Sequence, residues 1–148
     1  MKSEYQNDEI SELMGGVLKS AILLNKEIES YFGMSSARIL TLLAFTEKEI
    51  MRMSELSEAM SLTTSTSTRM IDSLVKEGFV ERGYDEFDRR LVTVELTGSG
   101  KKIAKDIKAF RDRYFDSIKD EVKESGEEEM ITSLKALIDA FGNFRSRL

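Results

Sequence analysis

The chain has 148 residues, with 22 Lys and Arg against 27 Asp and Glu and a net charge of −5, a length that suits one domain with its own hydrophobic core. Cysteine, histidine and proline are all absent, which excludes disulfides, thiolate or imidazole metal sites, Ser-His-Asp catalysis and histidine pH switching, and the missing proline fits many long helices. No apolar run approaches the roughly 20 residues of a membrane span, and the acidic N-terminus lacks a signal-peptide pattern, so a cytoplasmic, mainly α protein without a membrane partner is expected.

From about Asp8 to Phe32, Ile10, Met14, Val17, Ala21, Leu24, Ile28 and Tyr31 recur at alternating steps of four and three. That is a helical seam over three heptads, widened by Leu13, Leu18, Ile22 and Phe32. Gly33 fits the position after the helix, where positive φ is tolerated. Ser35 caps a second helix carrying Ile39, Leu40, Leu42, Leu43 and Phe45. After the charged link Thr46–Glu49, residues Ile50 to Met53 read as a brief strand or a helix lead-in. A short helix follows with Leu56, Ala59 and Met60 facing inward. In the run from Ser61 to Arg69, every residue but Leu62 is Ser, Thr or Arg. It opens a helix with Thr63 as N-cap, Met70, Ile71, Leu74 and Val75 as its apolar stripe, and Gly78 at its end.

The period then changes. Phe79 to Arg82 is a short strand, and Leu91 to Leu96 alternates with Val92, Val94 and Leu96 on one face. Between them Gly83 to Arg90 is a polar hairpin tip. Thr97 caps a further helix with Ile103, Ile107, Phe110, Tyr114, Ile118 and Val122. Ser125-Gly126-Glu127-Glu128 breaks it, with Ser125 and Glu128 at capping-box spacing for a last helix carrying Met130, Leu134, Leu137, Phe141, Phe144 and Leu148.

Two short helices joined by a polar turn and followed by a hairpin describe a winged helix-turn-helix. The second helix of such a pair lies in a DNA major groove with its first residues at base edges. Small hydroxyl side chains suit that position. They let the backbone approach closely and donate to phosphates or bases, and the positive end of the helix dipole faces the phosphates. Arg69 is the long cationic donor of this first turn and a half. Arg89 and Arg90 at the hairpin tip suit the negative potential of a minor groove, with Arg82 at the hairpin base. Asp88 pairs with Arg90 and fixes its rotamer before docking, which lowers the entropy lost on binding.

From Leu56 to Gly100 the chain resembles the MarR family (multiple-antibiotic-resistance regulators). The residues that carry the likeness are Thr68-Arg69-Met70-Ile71-Asp72-Ser73-Leu74, Gly78-Phe79-Val80-Glu81-Arg82, and Asp88-Arg89-Arg90 running through Val92, Val94, Leu96 and Thr97 to Gly100. The resemblance implies a homodimeric transcription regulator, a repressor acting on double-stranded DNA, whose first and last helices form the dimer interface. Residues 1–34 and 101–148 would then be the dimerisation region and 35–100 the winged helix-turn-helix with a two- or three-stranded wing, intertwined as one domain. It implies that Asp88 and Arg90 are the wing's ion pair and that Thr63 to Arg69 open the recognition helix. It also implies release by a small aromatic or amphipathic effector, for which no motif assigns a pocket, since core packing explains Tyr31, Phe32 and Phe45 equally well. Two departures are visible. Arg52 stands where the family usually caps the first helix of the motif with Thr or Ser, so Ser54 is a candidate cap. Ser67 replaces a more usual apolar residue, which predicts looser packing beneath the recognition helix.

The expected DNA-facing residues are Thr64, Ser65, Thr66, Thr68, Arg69, Arg89 and Arg90, supported by Asp88 and Arg82. Ile10, Met14, Val17, Leu134, Leu137, Phe141 and Phe144 are the expected dimerisation residues, because two long helices at opposite ends of the chain carry apolar faces that one small winged lobe cannot cover. Residues 34–100 hold eight basic against eleven acidic side chains, so the DNA-facing subset must be locally positive while the acids face away. That predicts weak non-specific binding and specific binding that falls steeply with salt. The rival reading is a helical protein-interaction module whose winged lobe does not bind DNA, with net acidity as its support. An enzyme is not expected, since no converging pair of carboxylates, lysines or tyrosines is visible, and no cofactor or metal is expected.

Overall fold

The computed structural model describes residues 2–145, with side chains described over 9–123 and 126–143. Its elements run α1 (Lys2–Phe32), α2 (Ser36–Ala44), β1 (Ile50–Arg52), α3 (Met53–Ala59), α4 (Thr64–Lys76), β2 (Val80–Tyr84), β3 (Val92–Leu96) and α5 (Gly98–Arg145). The chain groups into two compact units, Met1–Phe110 and Arg111–Leu148.

In the first unit the strands form an antiparallel sheet in the order β1-β3-β2. Met51 pairs with Val94, and Arg82 with Val94 from the other side. Ile50–Arg52 is thus a strand, and its pairing makes the wing sheet three-stranded. Val94 and Leu96 face a core that Leu42, Leu56, Ile71, Leu74, Val80 and Ile107 fill with almost no exposure. Burying each such side chain contributes about 1.5–3 kcal/mol. Phe45 lies in this core, and Phe32 packs on its edge with its ring centroid 5.9 Å from that of Phe110. Tyr31, at 4.9 Å from Phe110, keeps its outer face in solvent. Core packing therefore accounts for Phe32 and Phe45.

The α1 seam divides along its length. Leu24 and Ile28 are buried in the unit's own core, whereas Ile10, Leu13, Met14, Val17, Leu18, Ile22 and Leu23 are exposed. Gly33 ends α1 with φ +63°, as its position predicts. The turn into α2 is held by Glu29, whose Oε1 accepts from the Ser36 hydroxyl at 2.6 Å, while the Ser35 side chain caps nothing.

Several local expectations are corrected. The N-cap of α3 is Arg52, not Ser54: the Glu55 carboxylate reaches back to accept from the Arg52 backbone N–H at 2.8 Å. This is half of a capping box, because a guanidinium has no acceptor to return. Ala59 is exposed and Ser57 takes its inward place, donating to the Met53 carbonyl at 2.8 Å. Val75 lies at the exposed margin of the α4 stripe. The second strand starts one residue later than the pattern suggests and runs on to Tyr84.

In the second unit the break expected at Ser125–Glu128 is present: Gly126, with φ 114° and ψ 75°, is non-helical and divides α5 into two helices across a kink. The Ser125 side chain lies outside the described residues. Among the described residues no helix is long and apolar enough to cross a membrane.

Candidate nucleic-acid interface

The start of α4 is built by its own hydroxyls. Thr63 is the N-cap, its Oγ1 accepting from the Thr66 N–H at 3.4 Å. Ser67 Oγ donates to the Thr63 carbonyl at 3.2 Å and Thr68 Oγ1 to the Thr64 carbonyl at 2.7 Å. Ser67 is wholly buried and that bond satisfies its hydroxyl, so a small polar residue sits beneath the helix without an orphaned donor. Thr64, Ser65, Thr66 and Arg69 are exposed and Thr68 is half-buried at the helix's edge. These are the positions singled out from sequence.

The wing tip is held by two carboxylates. Asp85 Oδ2 accepts from both Nε and Nη2 of Arg52, at 3.0 and 2.7 Å. Its Oδ1 accepts the backbone N–H groups of Phe87 and Asp88 at 3.0 and 3.2 Å. The Arg52 guanidinium, followed by the backbone donor at Phe87, holds the Asp85 carboxyl below its ordinary value, and Asp85 in turn raises Arg52. Asp88 makes the pair expected of it. Its Oδ1 accepts from the Arg90 backbone N–H and Nε, both at 3.0 Å, and its Oδ2 from Nη2 at 3.2 Å, which lowers its carboxyl too. The Arg90 guanidinium is thus held by Asp88 through Nε and Nη2 while 91% of the side chain stays exposed. Arg89 is exposed, and among the described residues it has no ion pair.

Arg82 supports the wing from the side. Its Nη2 lies 2.7 Å from Asp72 Oδ1, tying β2 to the recognition helix. At the far end of α4, Arg38 of α2 pairs with Glu77. The Arg82–Asp72 pair is solvent-facing, where an ion pair contributes little to stability and mainly sets orientation, whereas the Arg38 side chain is mostly buried. A cavity of about 430 Å³ opens between these parts, lined by Arg52, Ser54, Thr68, Arg82, Arg90 and their apolar neighbours. Recognition helix and wing therefore open on one face of the first unit.

The Arg52–Asp85 clamp is not legible in the sequence, because its partners are 33 residues apart. The available signal was the anomaly itself, an arginine at a cap position with an unclaimed aspartate in the hairpin. Of the expected dimerisation residues, Ile10, Met14 and Val17 in the first unit, and Leu134 and Phe141 in the second, are exposed. Leu137 is half-buried. The Phe144 side chain lies outside the described residues. Among the described residues no cluster of acidic side chains is arranged to hold a metal.

The MarR family model matches residues 33–92. The chain is similar to two Bacillus subtilis (strain 168) proteins. It is 36% identical to the uncharacterized HTH-type transcriptional regulator YfiV over 64% of the chain, and spans 59% of that relative's length. It is 33% identical to the uncharacterized HTH-type transcriptional regulator YsmB over 65% of the chain and 68% of the relative. Its fold is similar to that of Streptococcus pneumoniae FabT, solved in complex with DNA, with a TM-score of 0.75 and 19% identity over 95% of this chain and 99% of the other. With the hydroxyl-lined helix, the Asp–Arg wing and these matches together, the chain belongs to the MarR family of winged helix-turn-helix transcription regulators.

Proposed function

We propose that this protein is a homodimeric, sequence-specific DNA-binding repressor. Thr64, Ser65, Thr66, Thr68 and Arg69 line a major groove, and Arg90, with Arg89 beside it, enters the adjoining minor groove. The observation that carries this reading is the shared face: Thr68 of the recognition helix and Arg90 of the wing line the same cavity. A rigid helix start and a pre-set arginine thus meet one duplex together.

Dimerisation is supported by α1, where Ile10, Leu13, Met14, Val17, Leu18 and Ile22 form an exposed apolar face. An apolar helix face calls for cover, and a second copy gives the two-fold symmetry that pairs two recognition helices with successive major grooves. The acidic residues of the winged lobe keep non-specific attraction low, so specificity rests on the few cations at the tip and on α4. For the effector, a cavity of about 280 Å³ beneath the start of α5 is lined by the apolar Phe45, Leu96 and Ala104 and by Lys101, Lys105 and Lys108 against one carboxylate, Glu49. It suits a small amphipathic anion that would act by shifting the population of dimers whose helices match the groove spacing.

Selection from a random duplex pool tests the reading. The expected product is a near-palindrome with half-sites about 10 bp apart, bound with an affinity that falls steeply between low and physiological salt. Failure to recover any duplex at low salt would favour the protein-interaction module instead. Placing the recovered site before a reporter, with and without the protein, reads repression directly.

A further inference from the structure

We propose that Phe87 is a wedge, inserted from the wing tip into the minor groove at one flexible base step in each half-site, so that the bound duplex is kinked. The inference rests on the DNA-binding reading above and goes beyond it. Phe87 is 96% exposed, while Phe45 is buried and Phe32, Phe79 and Phe110 pack on the core. A single exposed apolar side chain is ordinary on a protein surface; the setting of this one is not. Its backbone N–H is held by Asp85 at 3.0 Å, and Asp85 is clamped by Arg52 at the N-cap of α3. The ring is therefore carried on a braced turn. It stands two residues from Arg89 and three from Arg90, the cations assigned to the minor groove.

Charge adds a second argument. The tip from Asp85 to Arg90 holds three acids and two arginines, and Asp88 already engages Arg90. Electrostatic attraction alone is a weak means of seating such a tip against phosphates. An apolar side chain between stacked bases supplies a term that does not depend on charge. Minor-groove proteins use Phe in this way, partly unstacking one step and bending the duplex by tens of degrees, most easily at pyrimidine–purine steps.

The test uses the full chain and a duplex recovered by selection, labelled at its ends for energy transfer and carrying 2-aminopurine at successive steps. The wild type should shorten the end-to-end distance and brighten 2-aminopurine at one step per half-site. Phe87→Ala should lose both signals and bind roughly tenfold more weakly, in line with the loss of one base–aromatic contact. The slope of affinity against salt should not change, because no phosphate contact is lost. Phe87→Leu, which keeps an apolar wedge, should retain most of the kink. Thermal melts of both variants should match the wild type, since the ring packs on nothing. Wild-type binding without kink or brightening, or a Phe87→Ala protein equal to wild type in affinity and bend, overturns the wedge and leaves the DNA-binding reading standing. A wild type that binds no duplex overturns that reading, and the wedge with it.

Discussion

Gly100 stands in the first turn of α5, where the helix start is pressed onto the backbone of Phe79, just before β2. A Cβ placed there would overlap the Phe79 carbonyl oxygen, lie 2.9 Å from that carbonyl's carbon and 3.3 Å from Leu96 Cβ. The nearest obstacles are backbone, so no side chain can rotate away. The same carbonyl accepts the Thr97 N–H at 3.1 Å. Thr97 Oγ1 also donates to the Gly78 carbonyl at 2.6 Å and accepts from the Gly100 N–H at 3.1 Å. Making room for a methyl group means lifting α5 off these bonds. Overpacking of this kind costs about 3 kcal/mol at the upper end of its usual range, and a weakened N-cap adds about 1 kcal/mol. Replacing a helical glycine by alanine returns about 1 kcal/mol. Gly100→Ala should therefore lose about 3 kcal/mol net, lowering the melting temperature by roughly 6–12 °C for a chain of this size. Gly98→Ala is the internal control: it lies in the same helical turn, but nothing is within 4 Å of its Cβ, so it should be neutral or stabilising by up to about 1 kcal/mol. Urea and thermal melts by circular dichroism at one fixed protein concentration measure both. A Gly100→Ala protein as stable as Gly98→Ala would refute the reasoning.

Arg90→Ala should weaken binding to the selected duplex by about 1–3 kcal/mol and reduce the salt slope by about one, with an unchanged melt; fluorescence anisotropy across a salt series measures both, and an unchanged affinity would remove the wing from the interface. Asp85→Asn should loosen the tip, because a carboxylate only 13% exposed loses its charge opposite the half-exposed Arg52; the Phe87 and Asp88 amides, which lose a charged acceptor, should exchange faster with solvent while those of β3 do not. Because the Asp85 and Asp88 carboxyls are both lowered from 3.8 in the folded wing, their contribution is fully present above that value and is lost as pH falls below it. The amide shifts of Phe87 and Arg90 should therefore be flat down to about pH 5 and move below about 3.8; a midpoint near neutrality would contradict the assignment. Thr63→Ala should destabilise by no more than about 1 kcal/mol, given a long capping bond of 3.4 Å, as read by urea titration.

Much of the candidate site is local, and local features are legible in a sequence. The polar run from Ser61 to Arg69 forecasts a capped helix because hydroxyls compete for backbone donors only at helix starts. The Asp88–Arg90 pair spans two residues of a turn and needs no distant partner. By contrast, the Arg52–Asp85 clamp and the Arg82–Asp72 tie join residues from different elements. Nothing in the spacing along the chain identifies such partners. The α3 cap is different: Glu55 lies three residues from Arg52, and only the arginine at the cap position, with no side-chain acceptor to offer, obscures it. Ala59 and Ser57 exchanged places because a seven-residue helix is too short for periodicity to fix which face turns inward.

The order of helices, the hairpin, the N-caps at Thr63 and Thr97 and the hydroxyl-rich start of α4 follow from the residue order, because each depends on side chains within a few positions of one another. Tertiary packing decided what those pieces mean to each other. It paired β1 with β3, divided the α1 seam into a buried half and an exposed half, and brought Thr68 and Arg90 to one cavity. It also left Phe87 in water on a braced tip. The physical reason is distance: backbone propensity and capping act over a turn of chain, whereas burial and ion pairing depend on which remote surfaces the folded chain brings into contact.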